Sequence, residues 1–293
     1  MNIEKHPLYK KMDPDTVLSE TFQIYFSNFR FIFLLSLIFS LLMQLPVYLI
    51  DLSSINQTIN SENWLEALEI VRQLGFIGIF AFLIFVLYVI LISEYILSYY
   101  EDKSKMANRL IEALRISYLP AILLIIISGI IFSIGMIIGV FIFIIGILIA
   151  MFYLFTAISP IIPILLNESK NPFTVLGKSF NLIHTNFWNS LGTASLMLIV
   201  YIIISLILVA VSLIPMGIET FIAIIQGNNL KEYLQSPEFF TFSTGPVQLV
   251  ISSLINALLL PLLPIFGVIF YLKLKFEQKQ SDDFSTEEYI YTN

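Results

Sequence analysis

The sequence contains no cysteine and only two histidines, and charged residues make up just 12% of its 293 residues. The absence of cysteine excludes disulfides and thiol chemistry. Soluble domains carry about a quarter charged residues, so this chain cannot cover its surface with polar groups in water. We therefore expect lipid to be the solvent around most of its side chains.

Residues for catalysis and metal binding are also scarce. The two histidines, His6 and His184, both lie outside the apolar runs. An iron oxygenase needs several His or carboxylate ligands around its metal, and an intramembrane serine protease needs a polar catalytic set. No glycine-rich phosphate-binding motif is present either. We expect a protein that is not an enzyme and has no cofactor, no metal site and no nucleic-acid partner.

Long apolar runs account for most of the chain, which is 58% hydrophobic with a mean hydropathy of +0.89. No short apolar segment with a small-residue cleavage site opens the sequence, so we expect no signal peptide. A helix needs about 20 apolar residues to cross a bilayer. Six runs qualify: Phe29–Ile50, Gly75–Tyr99, Tyr118–Ile138, Val140–Leu165, Phe187–Ile214 and Val247–Tyr271. Because they are continuous and not alternating, they favour helices over a β-barrel.

The third and fourth runs are joined into one stretch that is too long for a single span. We place the turn at Ser133–Gly139, which makes these two helices a tight antiparallel hairpin. Thirteen of the fifteen Lys and Arg residues then fall on one side of the membrane. Basic loops stay in the cytoplasm, so both termini are expected there. The acidic outer loops are expected at 51–74 and 215–246.

Two segments of the sequence are similar to each other. Thr16–Phe29 and Thr174–Phe187 are identical at six of fourteen aligned positions, and Asn108–Tyr118 is a weaker third copy. Each copy is amphipathic and precedes a span, which indicates a helix in the membrane interface. Shared amphipathic composition is the alternative to duplication. The predicted fold is an all-α integral membrane protein of six transmembrane helices in three pseudo-repeats. Each pseudo-repeat is one interfacial helix plus two spans.

These pseudo-repeats cover residues of about 13–100, 101–167 and 168–272 within a single membrane domain, and 273–293 form a polar cytoplasmic tail. Three stretches then carry a family resemblance: LSETFQIYFSNFRFIF, SPIIPILLNESKNPFTVLGKSFNLIHTNFWNSLG and YLKLKFEQKQSDDF. They resemble the opening helix, the central stretch and the closing segment of membrane proteins similar to the glycerophosphoryl diester phosphodiesterase membrane domain. The resemblance implies a multi-span membrane module without the catalytic phosphodiesterase domain.

Few polar residues enter the spans, and these are the candidate functional or structural sites. We expect Glu94 and Glu168 near the cytoplasmic interface, where they meet water or headgroups or pair with Lys or Arg. Gln44 and Asn256 are amides inside spans, for which interhelical hydrogen bonds are the favoured role. Helix kinks are the favoured role of Pro160, Pro163, Pro261 and Pro264, and a broken-helix transport site is the alternative.

These features favour a non-catalytic multi-pass protein of a bacterial cytoplasmic membrane, the location that the family resemblance implies. It would act as a membrane module or scaffold through contact with membrane lipids or with other membrane proteins. The alternative is a transporter for an apolar or amphipathic solute, which needs few charges along its path. Such a transporter would have a cavity that reaches the midplane near Gln44, Asn256 or Pro261.

Overall fold

A computed structural model describes residues 3–46, 64–99, 103–225 and 245–291. Regular structure in these residues is helical, beginning with a short 3-10 turn at Ile3–Lys5. Ten α-helices follow: α1 Pro14–Ser27, α2 Phe29–Gln44, α3 Trp64–Leu97, α4 Lys103–Phe141, α5 Phe143–Ile158, α6 Ile161–Asn167, α7 Pro172–Thr185, α8 Phe187–Ile225, α9 Pro246–Leu259 and α10 Leu262–Tyr291.

Composition predicted a helical membrane protein, and the structure has five to six apolar helices of suitable length among the described residues. Five helical segments of the described residues are long and apolar enough to cross a membrane: Val71–Leu97, Met106–Phe141, Ile145–Asn167, Phe187–Pro215 and Pro246–Asp283. The bent pair α1–α2 brings the number to six. Both predicted outer loops lie partly outside the described residues, at 51–63 and 226–244.

The remaining parts of those two predicted loops are helical. Helix α3 begins at Trp64, before the predicted Gly75, and α8 continues through Pro215 to Ile225. A proline inside a helix removes only one backbone hydrogen bond, and the neighbouring turns hold the helix together. Both helices therefore continue beyond the apolar runs that set the predicted loop boundaries.

The two most similar segments form helices of the same length and design. Helix α1 follows Asp13 and helix α7 follows Asn171, each residue being an extended N-cap before a proline in the first turn. Proline fits there because the first N–H groups of a helix have no partner within the helix. Asn28 ends α1 and Asn186 ends α7, and a phenylalanine opens the next helix in both places. The axis turns by 83° between α1 and α2.

Both helices also bury corresponding faces. The buried residues of α1 are Val17, Thr21, Ile24 and Tyr25, and those of α7 are Val175, Leu176, Ser179, Leu182 and Ile183. The third copy differs, because residues 108–118 are continuous with the following span in α4, with Pro120 inside the helix. The prediction of a separate third interfacial helix was wrong. No asparagine-phenylalanine pair interrupts the helix in this copy, unlike in the other two.

The predicted hairpin of the third and fourth spans is present, but its turn lies at Ile142 and not at Ser133–Gly139. Gly135 packs against Leu154, and Gly139 packs against Gly146, so α4 and α5 run antiparallel. A Cβ atom on Gly139 would lie 2.8 Å from the Gly146 carbonyl oxygen. These glycines therefore allow close helix packing, and the Gly139 carbonyl oxygen also accepts the turn hydrogen bond from the Ile142 N–H.

Two helix breaks occur where two prolines lie three residues apart in the sequence. Helices α5 and α6 are interrupted at Ser159–Pro160, and α9 and α10 at Leu260–Pro261. Pro163 and Pro264 then fall in the first turn of the following helix, where a missing N–H is tolerated. The kinks expected of these prolines are present as short breaks. Beyond the second break, α10 continues to Tyr291, so residues 273–291 of the predicted polar tail are helical.

Contacts divide the chain into two compact units, of which unit 1 draws on all three predicted pseudo-repeats and unit 2 on the first and third. Unit 1 comprises Met1–Ile32, Val86–Ile202 and Pro261–Asn293, and unit 2 comprises Phe33–Phe85 and Ile203–Leu260. In unit 1, α10 packs against α1, α6 and α7. Its residues Ile265, Phe266 and Val268 through Leu274 are almost inaccessible to solvent. Helix α10 is therefore the core of unit 1.

Candidate functional site

A lysine lies inside the core of unit 1. Lys273 on α10 has an exposed fraction of 0%. Its Nζ donates hydrogen bonds to Asn189 Oδ1 and Thr193 Oγ1, both at 3.0 Å, in the first two turns of α8. Glu277 Oε1 lies 3.4 Å from the same nitrogen, one turn further along α10. The buried ammonium thus has three acceptors, and this geometry joins α10 to α8.

Glu277 completes this buried network. Its Oε1 also accepts a hydrogen bond from Asn189 Nδ2 at 3.3 Å. Its Oε2 is buried and has no hydrogen-bond partner among the described residues. The side chains of Lys273, Glu277, Asn189 and Thr193 form what we call the Lys273 network.

Glu168 forms a second charged cluster in unit 1, between α6, α7 and α10. Its Oε2 lies 2.9 Å from Lys178 Nζ, and its Oε1 accepts a hydrogen bond from the Tyr271 hydroxyl at 2.9 Å. Lys275 Nζ lies 3.3 Å from the same Oε1. Burial raises the pKa of Glu168, but these bonds from Lys178 and Tyr271 and the charge of Lys275 outweigh it. The pKa therefore lies below the ordinary value of 4.5. The sequence predicted that Glu168 pairs with Lys or Arg, and this pairing is present.

Lys170 caps the end of α6. Its Nζ donates to the carbonyl oxygens of Leu165 and Leu166 at 2.8 and 3.0 Å and to Ser117 Oγ on α4 at 2.9 Å. A cation at a helix C-terminus satisfies its free carbonyls and complements the helix dipole. Burial lowers the pKa of Lys170, against the opposing charges of Glu94 and Glu112. Glu94 is partly buried near the end of α3, and its pairing with Lys or Arg stays a prediction.

The segment before α1 packs on the extension of α10. Leu8 and Met12 are buried, and the Tyr9 ring meets the Phe276 ring edge-on at 5.4 Å. The Tyr9 hydroxyl donates to the Lys275 carbonyl oxygen at 3.4 Å, and Glu4 pairs with Lys279 at 2.6 Å. Burial is the main cause of the raised pKa of Tyr9. Both ends of the described chain therefore meet in unit 1.

Aromatic rings line the outer face of α1 and α7 at the point where each is joined to a span. Phe22, Phe26 and Phe29 stack in sequence with centroid distances of 6.2 and 6.4 Å. At the corresponding corner, the rings of His184 and Phe187 stack at 5.5 Å. Phe26 is 63% exposed, and Trp188, beside Phe187, is 79% exposed. We call these two groups of rings the aromatic corners: Phe22, Phe26 and Phe29 at one, and His184, Phe187 and Trp188 at the other.

The two predicted amides have different surroundings, both in unit 2. Gln44 Oε1 accepts a hydrogen bond from Ser252 Oγ at 2.6 Å, which is the interhelical bond expected of it. The Asn256 side chain is exposed and has no side-chain hydrogen bond among the described residues. The interhelical role expected of Asn256 is therefore not seen.

Sequence reasoning did not single out Lys273, which it assigned to the polar tail, or Tyr271, at the end of the sixth apolar run. The signal available was the spacing of Lys273 and Glu277, four residues apart and therefore neighbours on one helix face. Among the described residues, no three or more His, Cys, Asp or Glu side chains are placed to hold a metal ion. No protein-family model matches the chain, and no curated protein or solved structure matches it.

Proposed function

We propose that this protein is a non-catalytic membrane module that acts through lipid contact at its two aromatic corners. The observation that carries the proposal is the 83° turn between α1 and α2. If α2 crosses the membrane, α1 lies nearly parallel to the membrane plane. Its buried face is held by α10, while Phe26 is exposed at the corner.

The corner of α7 and α8 supports the same assignment. Phe173 and Trp188 are exposed at the two ends of α7, and tryptophan favours the level of the lipid headgroups. Arg30 is exposed beside Phe29, as expected of a basic residue near anionic headgroups. The matching bounds and buried faces of α1 and α7 favour duplication as their origin. We assign both corners to the cytoplasmic side, on the basic residues that flank them.

The family resemblance of the sequence agrees with this proposed function. A chain similar to the glycerophosphoryl diester phosphodiesterase membrane domain, without its catalytic partner, would be a membrane module whose role lies in contact and not in chemistry. Partner proteins are the second class of contact that such a surface accepts. Uncovered tryptophan and phenylalanine at a helix turn favour lipid as the first.

Depth-dependent quenching tests the proposal. The chain has two tryptophans, so Trp64→Phe leaves Trp188 as the sole reporter. In vesicles of brominated phosphatidylcholine, bromines near the glycerol level should quench Trp188 most. A matched variant carries Trp64→Phe, Trp188→Phe and Ile203→Trp, because Ile203 is exposed on the same helix about 22 Å further along. That reporter should be quenched most by deep bromines. Equal depth profiles, or no quenching of Trp188, would contradict the proposal.

A further inference from the structure

The two aromatic corners differ in the residue that follows the last phenylalanine of each. The alignment of the two similar segments places Arg30 after Phe29 in the first corner and Trp188 after Phe187 in the second. Both residues are exposed, Trp188 by 79%. A guanidinium group binds the phosphate of a lipid headgroup, whereas the face of an indole ring attracts a cation. The two corners therefore suit headgroup atoms of opposite charge.

The ends of α1 and α7 differ in the same direction. At the end of α1, the Asn28 N–H donates to the carbonyl oxygens of Ile24 and Phe26, and Asn28 Nδ2 also donates to that of Ile24. Asn186 stands at the same place in α7, and its N–H makes no such bond to the described residues. Carbonyl groups in the last turn of a helix form the negative end of its dipole and attract cations. The end of α7 therefore keeps more of this negative charge than the end of α1.

His184, in the last turn of α7, adds a hydrogen-bond acceptor at this end. It is exposed, and the centroid of its ring lies 6.1 Å from that of Tyr153 and 5.5 Å from that of Phe187. Its Nδ1 lies 2.6 Å from the Phe180 carbonyl oxygen, which can only accept, so Nδ1 carries the proton. Nε2 of the neutral ring is then an acceptor, and it makes no hydrogen bond to the described residues. A ligand with N–H donors would satisfy it.

Fixed cations are scarce in the helices around the second corner. Lys178 is the sole lysine or arginine of α7, and its Nζ pairs with Glu168 at 2.9 Å. Helices α5 and α8 contain neither lysine nor arginine. Lys273, which binds α8 from α10, is fully buried and has three acceptors of its own. A phosphate group would therefore find no unpaired cation in these helices, and an ammonium group would meet little repulsion.

We propose that the second corner binds the primary ammonium headgroup of a zwitterionic phospholipid, one that ends in ethanolamine. This inference rests on the proposed lipid contact and names the headgroup. The ammonium group lies over the Trp188 ring and donates an N–H to His184 Nε2. Beyond Trp188 the exposed side chains of α8 are largely apolar and suit acyl chains, so the source of the ammonium group is a lipid and not a soluble amine.

Selective quenching tests the headgroup. Trp64→Phe, with Trp188 as its sole tryptophan, is placed in phosphatidylcholine vesicles. A minor fraction of the lipid is brominated in its acyl chains and carries an ethanolamine, a choline or an anionic glycerol head. The ethanolamine lipid should be enriched at Trp188 about two- to fivefold over the glycerol lipid, the ratio that an exposed cation–π contact provides. It should also exceed the choline lipid, whose ammonium has no N–H. If the ethanolamine lipid does not exceed both others, the proposal is overturned.

The first corner supplies a matched control. A variant with Trp64→Phe, Trp188→Phe and Phe26→Trp moves the reporter beside Arg30, because Phe26 is also exposed. The anionic glycerol lipid should be the most enriched there, since the guanidinium group attracts its charge. The same order of lipids at both corners would mean that the order belongs to the vesicle and not to the site, which overturns the proposal.

His184→Phe, added to Trp64→Phe, tests the acceptor. Phenylalanine is the residue that the first corner has at the corresponding position, Phe26. This variant should lose the preference for ethanolamine over choline and keep the preference for both over the glycerol lipid. An unchanged preference for ethanolamine over choline would overturn the role of His184. The depth at which Trp188 is quenched does not depend on the headgroup, so the proposed function and this inference can fail separately.

Discussion

The two units differ in the polar side chains that they bury: among the described residues, unit 1 buries a charged lysine, whereas the buried polar side chains of unit 2 are serines. In unit 1 the buried Lys273 has three acceptors, and Glu168 contacts Lys178, Lys275 and Tyr271. In unit 2, Gln248 and Ser253 keep buried oxygen atoms without a partner among the described residues. Unit 1 also keeps buried polar atoms without a partner, such as Tyr25 Oη and Glu277 Oε2, so the difference lies in its paired charges, which teaches that a buried charge here is structural.

The largest expected effect comes from breaking the pair in the Lys273 network. Glu277→Leu leaves Lys273 buried without its counter-ion, and removing one member of a buried pair costs about 3–5 kcal/mol. The double variant Lys273→Met/Glu277→Leu should recover most of this loss, because an apolar pair needs no counter-ion. Denaturant unfolding in detergent micelles measures both. If Glu277→Leu is as stable as the unchanged protein, the Lys273 network does not stabilise the fold.

A smaller effect, which depends on pH, is expected at Glu168. Its lowered pKa means that the folded protein holds the carboxylate charged below pH 4.5, where the unfolded chain takes up a proton. The stabilisation is therefore complete above that value and is lost as pH falls through the folded pKa. Glu168→Gln should lose about 1.5 kcal/mol at neutral pH, the lower end for bonds to charged groups, since Lys178 is partly exposed. Its difference from the unchanged protein should shrink in acid; a difference constant with pH contradicts the assignment.

Helices α4 and α5 of unit 1 pack closely against each other, and substitutions at two glycines of α4 test this packing. Gly139→Ala should destabilise by about 1–3 kcal/mol, because the added methyl group meets the Gly146 backbone. Gly129→Ala, on the same helix with nothing within 4 Å of the added atom, should be neutral or gain up to about 1 kcal/mol. Thermal unfolding followed by size-exclusion chromatography compares the two. Equal losses would mean that the hairpin tolerates a wider separation.

The smallest effect is expected in unit 2. Gln44→Leu removes the interhelical bond to Ser252, and such bonds contribute about 1 kcal/mol in membranes. The same unfolding measurement should show this loss, well below that of Glu277→Leu. A loss as large as that of Glu277→Leu would remove the contrast between the two units.

Sequence patterns predicted the structural features that a short stretch of sequence determines by itself. The apolar runs predicted the membrane-length helices, and the Pro and Asn residues around α1 and α7 are the N-terminal and C-terminal signals of those helices. The breaks at Pro160 and Pro261 also followed from local chemistry. These features depend on a few neighbouring residues.

Contacts between segments that are distant in the sequence could not be predicted in the same way. Gly135 and Gly139 suit both a turn and a close packing contact, and only the position of Leu154 and Gly146 decides between them. Lys273 looked like a basic residue after a span, because nothing in the sequence shows that α8 brings Asn189 and Thr193 to it. The exposure of Asn256 likewise depends on how helices pack around α9.

The most direct test of this contrast removes one buried polar side chain from each unit and measures denaturant unfolding under the same conditions. Lys273→Met leaves Glu277 without its counter-ion, and Ser253→Ala removes a buried hydroxyl group that has no partner among the described residues. The account predicts a loss of about 3–5 kcal/mol for Lys273→Met and no loss for Ser253→Ala. Equal losses in the two variants would contradict it.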